Sequence, residues 1–578
     1  MKRILLLLAF VLSATSAFAD IPENQDQKLN KVFDRYQEYI LRTFPEYASY
    51  TGDRRYDDKL TNLADSSVTA RYDSLRMFVE LTKAINDTML SSAQKINYTI
   101  FLTELQNNLE SEKFRSHLMP ITHEQGIHIE FPQIVEYQPL KTFADYQKYL
   151  VRLRGFEKQA NDVIANMRIG MRDTVMPPKF TMIGALAQID KLRKIPADSM
   201  IFMTPLKPVS TTLNDSLKTV LRTQIRSIIN KNIKPSYEKL YAFIQTEYLP
   251  LCRDQDGVWS LTDGAERYKA AIRFYTTAKI SPERVFSLGL QEVDRLRKEM
   301  EVVKDNIGFK DSLYKFNNKL RVDSALYFKN NGELTKAYAD VLLKMTGNLR
   351  ELFGRVPEST YNLDDLEQYR AKNASYKNYY VAGYNSRNSG YNPATLPKFS
   401  LTAVALHEIV PGQHLQSAIE RDLKDLPKFR RAMDSKAFVE GWGLYAESLG
   451  YETGMYDDMY QKYGALAFEM QRACRMVVDA GIHSKKWTRE QAVKFMLENT
   501  PAKESDIRAE VDRYTVQPGQ ALAYKVGELK IKELRKSAEM LMGGQFSLRN
   551  FHEAVLENGA IPLTMLEANI DEWINMNR

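Results

Sequence analysis

Apolar residues recur at helical spacing through most of the chain. Between Asp26 and Phe44, Leu29, Val32, Phe33, Tyr36 and Ile40 fall at three- and four-residue steps, which places them on one stripe of a helix. The same reading holds for Tyr146 to Met167, Leu213 to Tyr248, Ser281 to Val303 and Gly332 to Leu352. Helix starts are marked as well. Ser281-Pro282-Glu283 supplies an N-cap hydroxyl, a proline at the first helical position and an acid in the first turn. Thr488-Arg489-Glu490-Gln491 has the form of a capping box. Strand signals are few, and Tyr379 to Ala382 and Phe399 to Thr402 are the candidates. The pattern predicts a mainly α-helical fold with few short strands.

The first residues read differently. Lys2 and Arg3 precede an apolar run from Ile4 to Leu12, and Ala17-Phe18-Ala19 follows. A charged start, a short apolar stretch and an A-x-A site predict a secretory signal peptide cut after Ala19. The run is shorter than the roughly 20 residues needed to span a bilayer, and the expected location is periplasmic or secreted. No cysteine follows the cut, which argues against a lipid anchor. Breaks at Pro196 to Pro208, Asp254 to Gly264 and Tyr384 to Pro397 are rich in turn formers. They suggest a signal peptide at 1–19, an N-terminal helical region at 20–253 and a helical catalytic region at 254–578.

Composition narrows the choices. The net charge is +7, two charges of which leave with Lys2 and Arg3. Basic residues sit beside acidic ones almost everywhere, so no basic stripe points to nucleic acid. The two cysteines, Cys252 and Cys474, make neither a disulfide scaffold nor a thiolate zinc site. Whether they pair depends on geometry.

Candidate chemistry sits in three blocks. In the first, His407-Glu408 is followed not by the second histidine of H-E-x-x-H but by Pro411 at that position, with Gly412, Gln413 and His414 after it. Zinc peptidases place two histidines one helical turn apart, with the glutamate as general base. Seven residues bring His414 to within about 20° of the face of His407, although about 10.5 Å along a straight helix. A break at Pro411-Gly412 would shorten that separation. In the second block, Glu440 and Glu447 bracket Gly441-Trp442-Gly443-Leu444-Tyr445-Ala446. One carboxylate suits a third metal ligand and the other suits a histidine partner behind the metal. The two glycines inside a helix suggest close packing against another backbone. In the third block, Arg513, Tyr514 and Tyr524 are candidates to steady a developing oxyanion. His483 fits a helix end, and His117, His123, His128 and His552 show no useful spacing.

Together these blocks resemble the bacterial family catalogued as domain of unknown function 885, whose pattern is H-E-x-x-P-G-H-H-L-Q, E-G-W-x-L-Y-x-E and R-Y-x-x-x-P-G-Q-A-L-x-Y-K-x-G. Leu261-Thr262-Asp263-Gly264 with Tyr268, Thr276 to Leu288, and Val477 to His483 are also family-like. The resemblance implies a large helical fold similar to the oligopeptidase and thermostable-carboxypeptidase gluzincins. It further implies Glu440 as ligand and Glu447 as its supporting neighbour. The chain departs from the pattern at Gln413, where the family has the first of two adjacent histidines. The expectation is a Zn2+-dependent peptidase with His407, His414 and Glu440 on the metal, and Glu408 as base. Tyr514 or Tyr524 would face the oxyanion, and a peptide would be the substrate. A hydrolase of non-peptide amides or esters at the same site, and a metal-free peptide-binding descendant, are the alternatives.

Overall fold

The computed structural model describes residues 24–206, 213–357, 396–433 and 435–578. The predicted leader, the candidate strand at Tyr379 to Ala382 and most of the Tyr384 to Pro397 break lie outside them. The described residues are mainly helical. Their β pairings are two isolated bridges, Pro178 to Arg253 and Tyr327 to Pro397. No helix among them is long and apolar enough to cross a membrane.

The predicted helices form close to their expected bounds: Gln25–Thr43, Phe143–Arg172, Pro282–Ile307 and Asn331–Leu352. The stretch after Leu213 is helical from Asp215 to Tyr248, with two π-turns at Ile229–Ile233 and Ile244–Tyr248. Ser281 caps its helix by accepting from the Arg284 amide, and Thr488 with Gln491 makes the reciprocal capping box. One expectation fails. Phe399 to Thr402 is not a strand: a 3-10 turn at Lys398–Ser400 leads directly into the helix Leu401–Glu408. That helix is buried from Leu401 to His407, so its apolar run is continuous and carries no periodicity to separate helix from strand.

Three apolar clusters hold the chain together. One gathers residues from Ile121 to Cys252. A second joins the Pro282–Ile307 helix to Met459–Ser484 and the segments after it. The largest takes Leu29, Phe33, Phe78 and Phe101 from the N-terminal helices and packs them with Leu406, Trp442, Leu522 and Ile570. The end of the middle cluster at Cys252 falls beside the expected boundary near 254, whereas the largest cluster draws on both sides of it. Cys252 and Cys474 are both buried and free, each in a different cluster.

Four helices frame the centre: Leu401–Glu408, Lys436–Glu452, Met459–Ser484 and Ala523–Met542. Lys436–Glu452 lies along Ala523–Met542 because neither helix carries a side chain at the crossing. A Cβ on Gly441 would stand 2.5 Å from the backbone of Gly527. Gly441 therefore marks a close backbone approach, as its place in a helix suggested.

A buried histidine–carboxylate centre

The helix Leu401–Glu408 stops just before the break expected at Pro411-Gly412. Ile409 leaves the helical region, and a new helix starts at Gln413 and runs to Arg421. Pro411 supplies no N–H to continue the first helix. The Trp442 indole N–H donates to the Pro411 carbonyl at 2.9 Å, fixing the break against the Glu440 helix. This turn brings Gln413 back towards His407.

His407 is 1% exposed and is held at both ring nitrogens. Nδ1 donates to Glu447 Oε1 at 2.7 Å. Nε2 faces Glu440 Oε2 at 3.4 Å and the Gln413 carboxamide nitrogen at 3.2 Å. That same nitrogen donates to Glu440 Oε2 at 2.7 Å. Gly443 makes room for the ring: a Cβ there would stand 2.7 Å from His407 Nε2. The helix glycine that sequence reading assigned to backbone packing thus clears space for a side chain. Phe468 meets the ring edge-on at 6.3 Å, and Tyr524 lies nearly parallel to it at 6.4 Å and 24°.

Burial and charge set the protonation of the centre. Desolvation pulls the His407 pKa down, but Glu440 and Glu447 overcome it and raise the group to about 9. Burial pushes Glu408 up to about 7, with His407 and Arg472 acting against it. Burial also raises Glu447, opposed by its bond to His407. Glu440 is lowered: His407 and the Tyr524 hydroxyl outweigh its desolvation.

The expected residues separate into two groups. His407, Glu408, Glu440, Glu447 and Tyr524 come together. His414 does not join His407 and Glu440. It follows Gln413 on the new helix, half-buried, its pKa lowered by burial. Among the described residues no three His, Cys, Asp or Glu side chains group as a metal-holding set. The side chain turned to His407 is Gln413, because the helix restarts at that residue and the same-face rule for unbroken helices no longer applies. Tyr514 and Arg513 stand one layer further out. The Tyr514 hydroxyl donates to Glu510 at 2.7 Å and accepts from Arg475 Nε at 2.9 Å. Arg513 donates to Glu510 and Gln520. Phe468, Arg472 and Arg475 were not anticipated; an arginine pair in a buried helix face, three residues apart, was the available signal. Outward, the centre opens on a cavity of about 360 Å³ lined by Gln413, Glu440, Gln416, Glu420, Arg431 and Lys436 among others.

Fold and centre together define an all-helical protein with a buried His–Glu core. Residues 45–570 match the family described as bacterial protein of unknown function (DUF885), and the chain belongs to that family. Two solved structures share the fold. One is described as a "putative lipoprotein" from Colwellia psychrerythraea, 25% identical, with a TM-score of 0.85 over 96% of this chain and 100% of that one. The other is described as a "putative lipoprotein of unknown function" from Shewanella oneidensis, 17% identical, with a TM-score of 0.68 over 94% and 99%. No curated protein matches the chain.

Proposed function

We propose that this protein is an extracytoplasmic zinc-dependent hydrolase of peptide bonds, of the gluzincin type. The leader-like N-terminus and the lipoprotein descriptions of its structural relatives support the location. One observation carries the chemistry: His407 offers Nε2 beside Glu440 while Glu447 holds Nδ1 from behind. A metal-bound histidine characteristically donates its other N–H to a carboxylate. Two ligands on one tetrahedral zinc, each about 2.0–2.1 Å from it, stand about 3.3–3.4 Å apart. The 3.4 Å between His407 Nε2 and Glu440 Oε2 meets that spacing. Gln413 stands at the third corner, and a half-turn of its carboxamide presents Oε1 there. The residues fit zinc, with a weaker third donor than imidazole.

Zinc held there by His407, Glu440 and Gln413 would supply a Lewis acid that activates water for attack. The chain does the rest. Glu408, poised at about 7, takes a proton from the attacking water and returns it to the leaving amine. Tyr524, kept protonated by burial at a pKa of about 12, turns its O–H from Glu440 to the developing oxyanion. Glu447 keeps the His407 ring in place. The test is metal content by elemental mass spectrometry beside turnover of a peptide panel. About one zinc per chain, with Glu408→Gln retaining metal and losing turnover, is expected. Full turnover by that variant would refute the role of Glu408.

A second reading has its own support. Gln413 donates to Glu440 and touches His407, closing the centre by hydrogen bonds alone, as in a metal-free peptide-binding descendant. Peptide binding with neither zinc nor turnover would favour it.

A further inference from the structure

A second cavity, of about 340 Å³, shares no lining residue with the cavity on Gln413 and Glu440. Its volume falls in the range of small-molecule sites. Three stretches wall most of it: 107–125, 253–275, and the end of the Glu504–Val516 helix with Pro518 after it. Backbone packing sets these walls. Gly519, at φ +83°, lies against the Ala271 backbone, from which a Cβ would stand 3.0 Å. The Gly519 amide donates to Asp479 at 3.0 Å, and the Val258 amide to His483 Nδ1 at 3.2 Å.

The charge in the cavity is one-sided. Arg253 and Arg267 line it, both half-buried. Arg253 donates from Nε to the Met176 carbonyl at 3.0 Å, and from Nη1 to the Gly257 carbonyl at 2.7 Å, the Ser260 hydroxyl at 3.1 Å and the Gln255 carbonyl. Arg267 donates from Nε to the Thr262 carbonyl at 2.8 Å, and its guanidinium lies 5.2 Å from the Phe114 ring centroid. All of these acceptors are neutral. Neither arginine pairs with a carboxylate among the described residues, and Arg253 Nη2 and both Nη of Arg267 have no acceptor there. None of these nitrogens is sealed off from space. Burial pushes the Arg253 pKa down to about 10, Asp256 acting against it and the charge of Arg267 with it. The other charged lining residue, Glu110, is taken: it accepts from Arg273 and lies 3.6 Å from Lys113. Two half-buried cations without a counter-charge are costly to hold, and an anion in the cavity offsets that cost. Beside them the wall is apolar, with Phe114, Met119, Leu261 and Phe274.

We propose that this cavity binds a small organic acid, its anionic head on Arg253 and Arg267 and its apolar body on Phe114, Met119 and Phe274. The site is separate from the His407 centre and does not depend on its chemistry. Guanidinium forks match planar anions, and the aromatic walls reject small hydrophilic ions as full substitutes.

Calorimetric titration of the full mature chain tests this, with hydrocinnamate as probe beside hydrocinnamamide, acetate and inorganic phosphate. Hydrocinnamate should bind about tenfold or more tightly than its amide and than either small anion. Arg267→Gln should bring the acid down to the affinity of the amide. Phe274→Ser, at a side chain 41% exposed and so tolerant of change, should weaken acid and amide alike. Glu440→Gln, at the centre, should leave hydrocinnamate binding as it is. Equal affinity for acid and amide, acetate or phosphate binding as tightly as hydrocinnamate, or no binding by any probe would overturn the proposal. So would an acid preference that survives Arg267→Gln, or binding lost in Glu440→Gln, which would move the ligand to the His407 centre.

Discussion

Replacing Gln413 by histidine should turn a weak third ligand into a strong one. The site is already shaped for it. Gln413 Nε2 stands 3.2 Å from His407 Nε2 and 2.7 Å from Glu440 Oε2, at the edge of the pair whose 3.4 Å spacing suits one ion. An imidazole from the same Cα reaches about as far as the carboxamide and binds zinc at about 2.0–2.1 Å. Even partners behind the metal change affinity by about 10–100-fold, so gaining a direct imidazole should tighten zinc by about 100-fold or more, close to 2.8 kcal/mol. Competition against a chromophoric chelator at fixed pH measures this directly. His414→Ala in the same background should leave the gain intact, because the charge that acts on His414 is Arg421 and not Glu440. Unchanged or weakened affinity in Gln413→His, or loss of the gain in the double variant, would show that Gln413 does not occupy a ligand position.

Three further outcomes follow from the same geometry. Gly443→Ala places a methyl 2.7 Å from His407 Nε2, so zinc affinity should fall at least tenfold while the helix, which gains about 1 kcal/mol in propensity, stays folded by circular dichroism. Tyr524→Phe should lower kcat by about 100-fold or more if its hydroxyl faces the oxyanion, whereas Tyr514→Phe, one layer out, should cost far less; equal losses would contradict the assignment. His128, His483 and His552 are each held near a pKa of about 4 by burial. Neutral when folded and protonated when unfolded, each removes about 1.4 kcal/mol of stability per pH unit as pH falls from about 6.5 towards 4. Replacing all three by Gln should therefore lessen the loss of stability below about pH 6 in denaturant melts, measured as the difference from the parent at each pH, and a difference that does not change between about pH 7 and 4 would refute the burial argument.

The helices were legible because their signals are local: stripes, an N-cap serine, a capping box. Where a helix is buried on every side, as at Leu401–Glu408, the stripe vanishes and the segment reads equally as a strand. The centre was legible where identity suffices. His407, Glu408, Glu440 and Glu447 are the residue types that metal chemistry needs, and the break at Pro411 was predictable from a missing N–H. Choosing between Gln413 and His414 was another matter. A rotation rule of about 100° per residue holds only along an unbroken helix, and the break that sequence predicted is what invalidates it. Arg472 and Arg475 were illegible for a different reason. Thirty-two tyrosines and many arginines offer partners everywhere, and only the fold, which sets both guanidinium groups beside the Tyr524 ring, singles these two out.

The charge around His407 ties the pieces together. Glu447 is buried and Glu408 and Glu440 half-buried about a single imidazole, and carboxylates so placed must take a proton, a cation or hydrogen bonds. The chain answers in part: His407 is driven up to about 9, Glu408 to about 7, and Arg472 lends its field to all three carboxylates. A divalent ion on Nε2 and Glu440 inverts this balance, displacing the His407 proton and drawing the Glu408 pKa down. Zinc binding should then release protons near neutral pH, the more so below pH 7 where Glu408 still carries one. Calorimetric titration in buffers of differing ionisation enthalpy counts them. A count of zero across pH 6 to 8 would mean that the ion does not bind at His407, whatever the metal content of the purified protein.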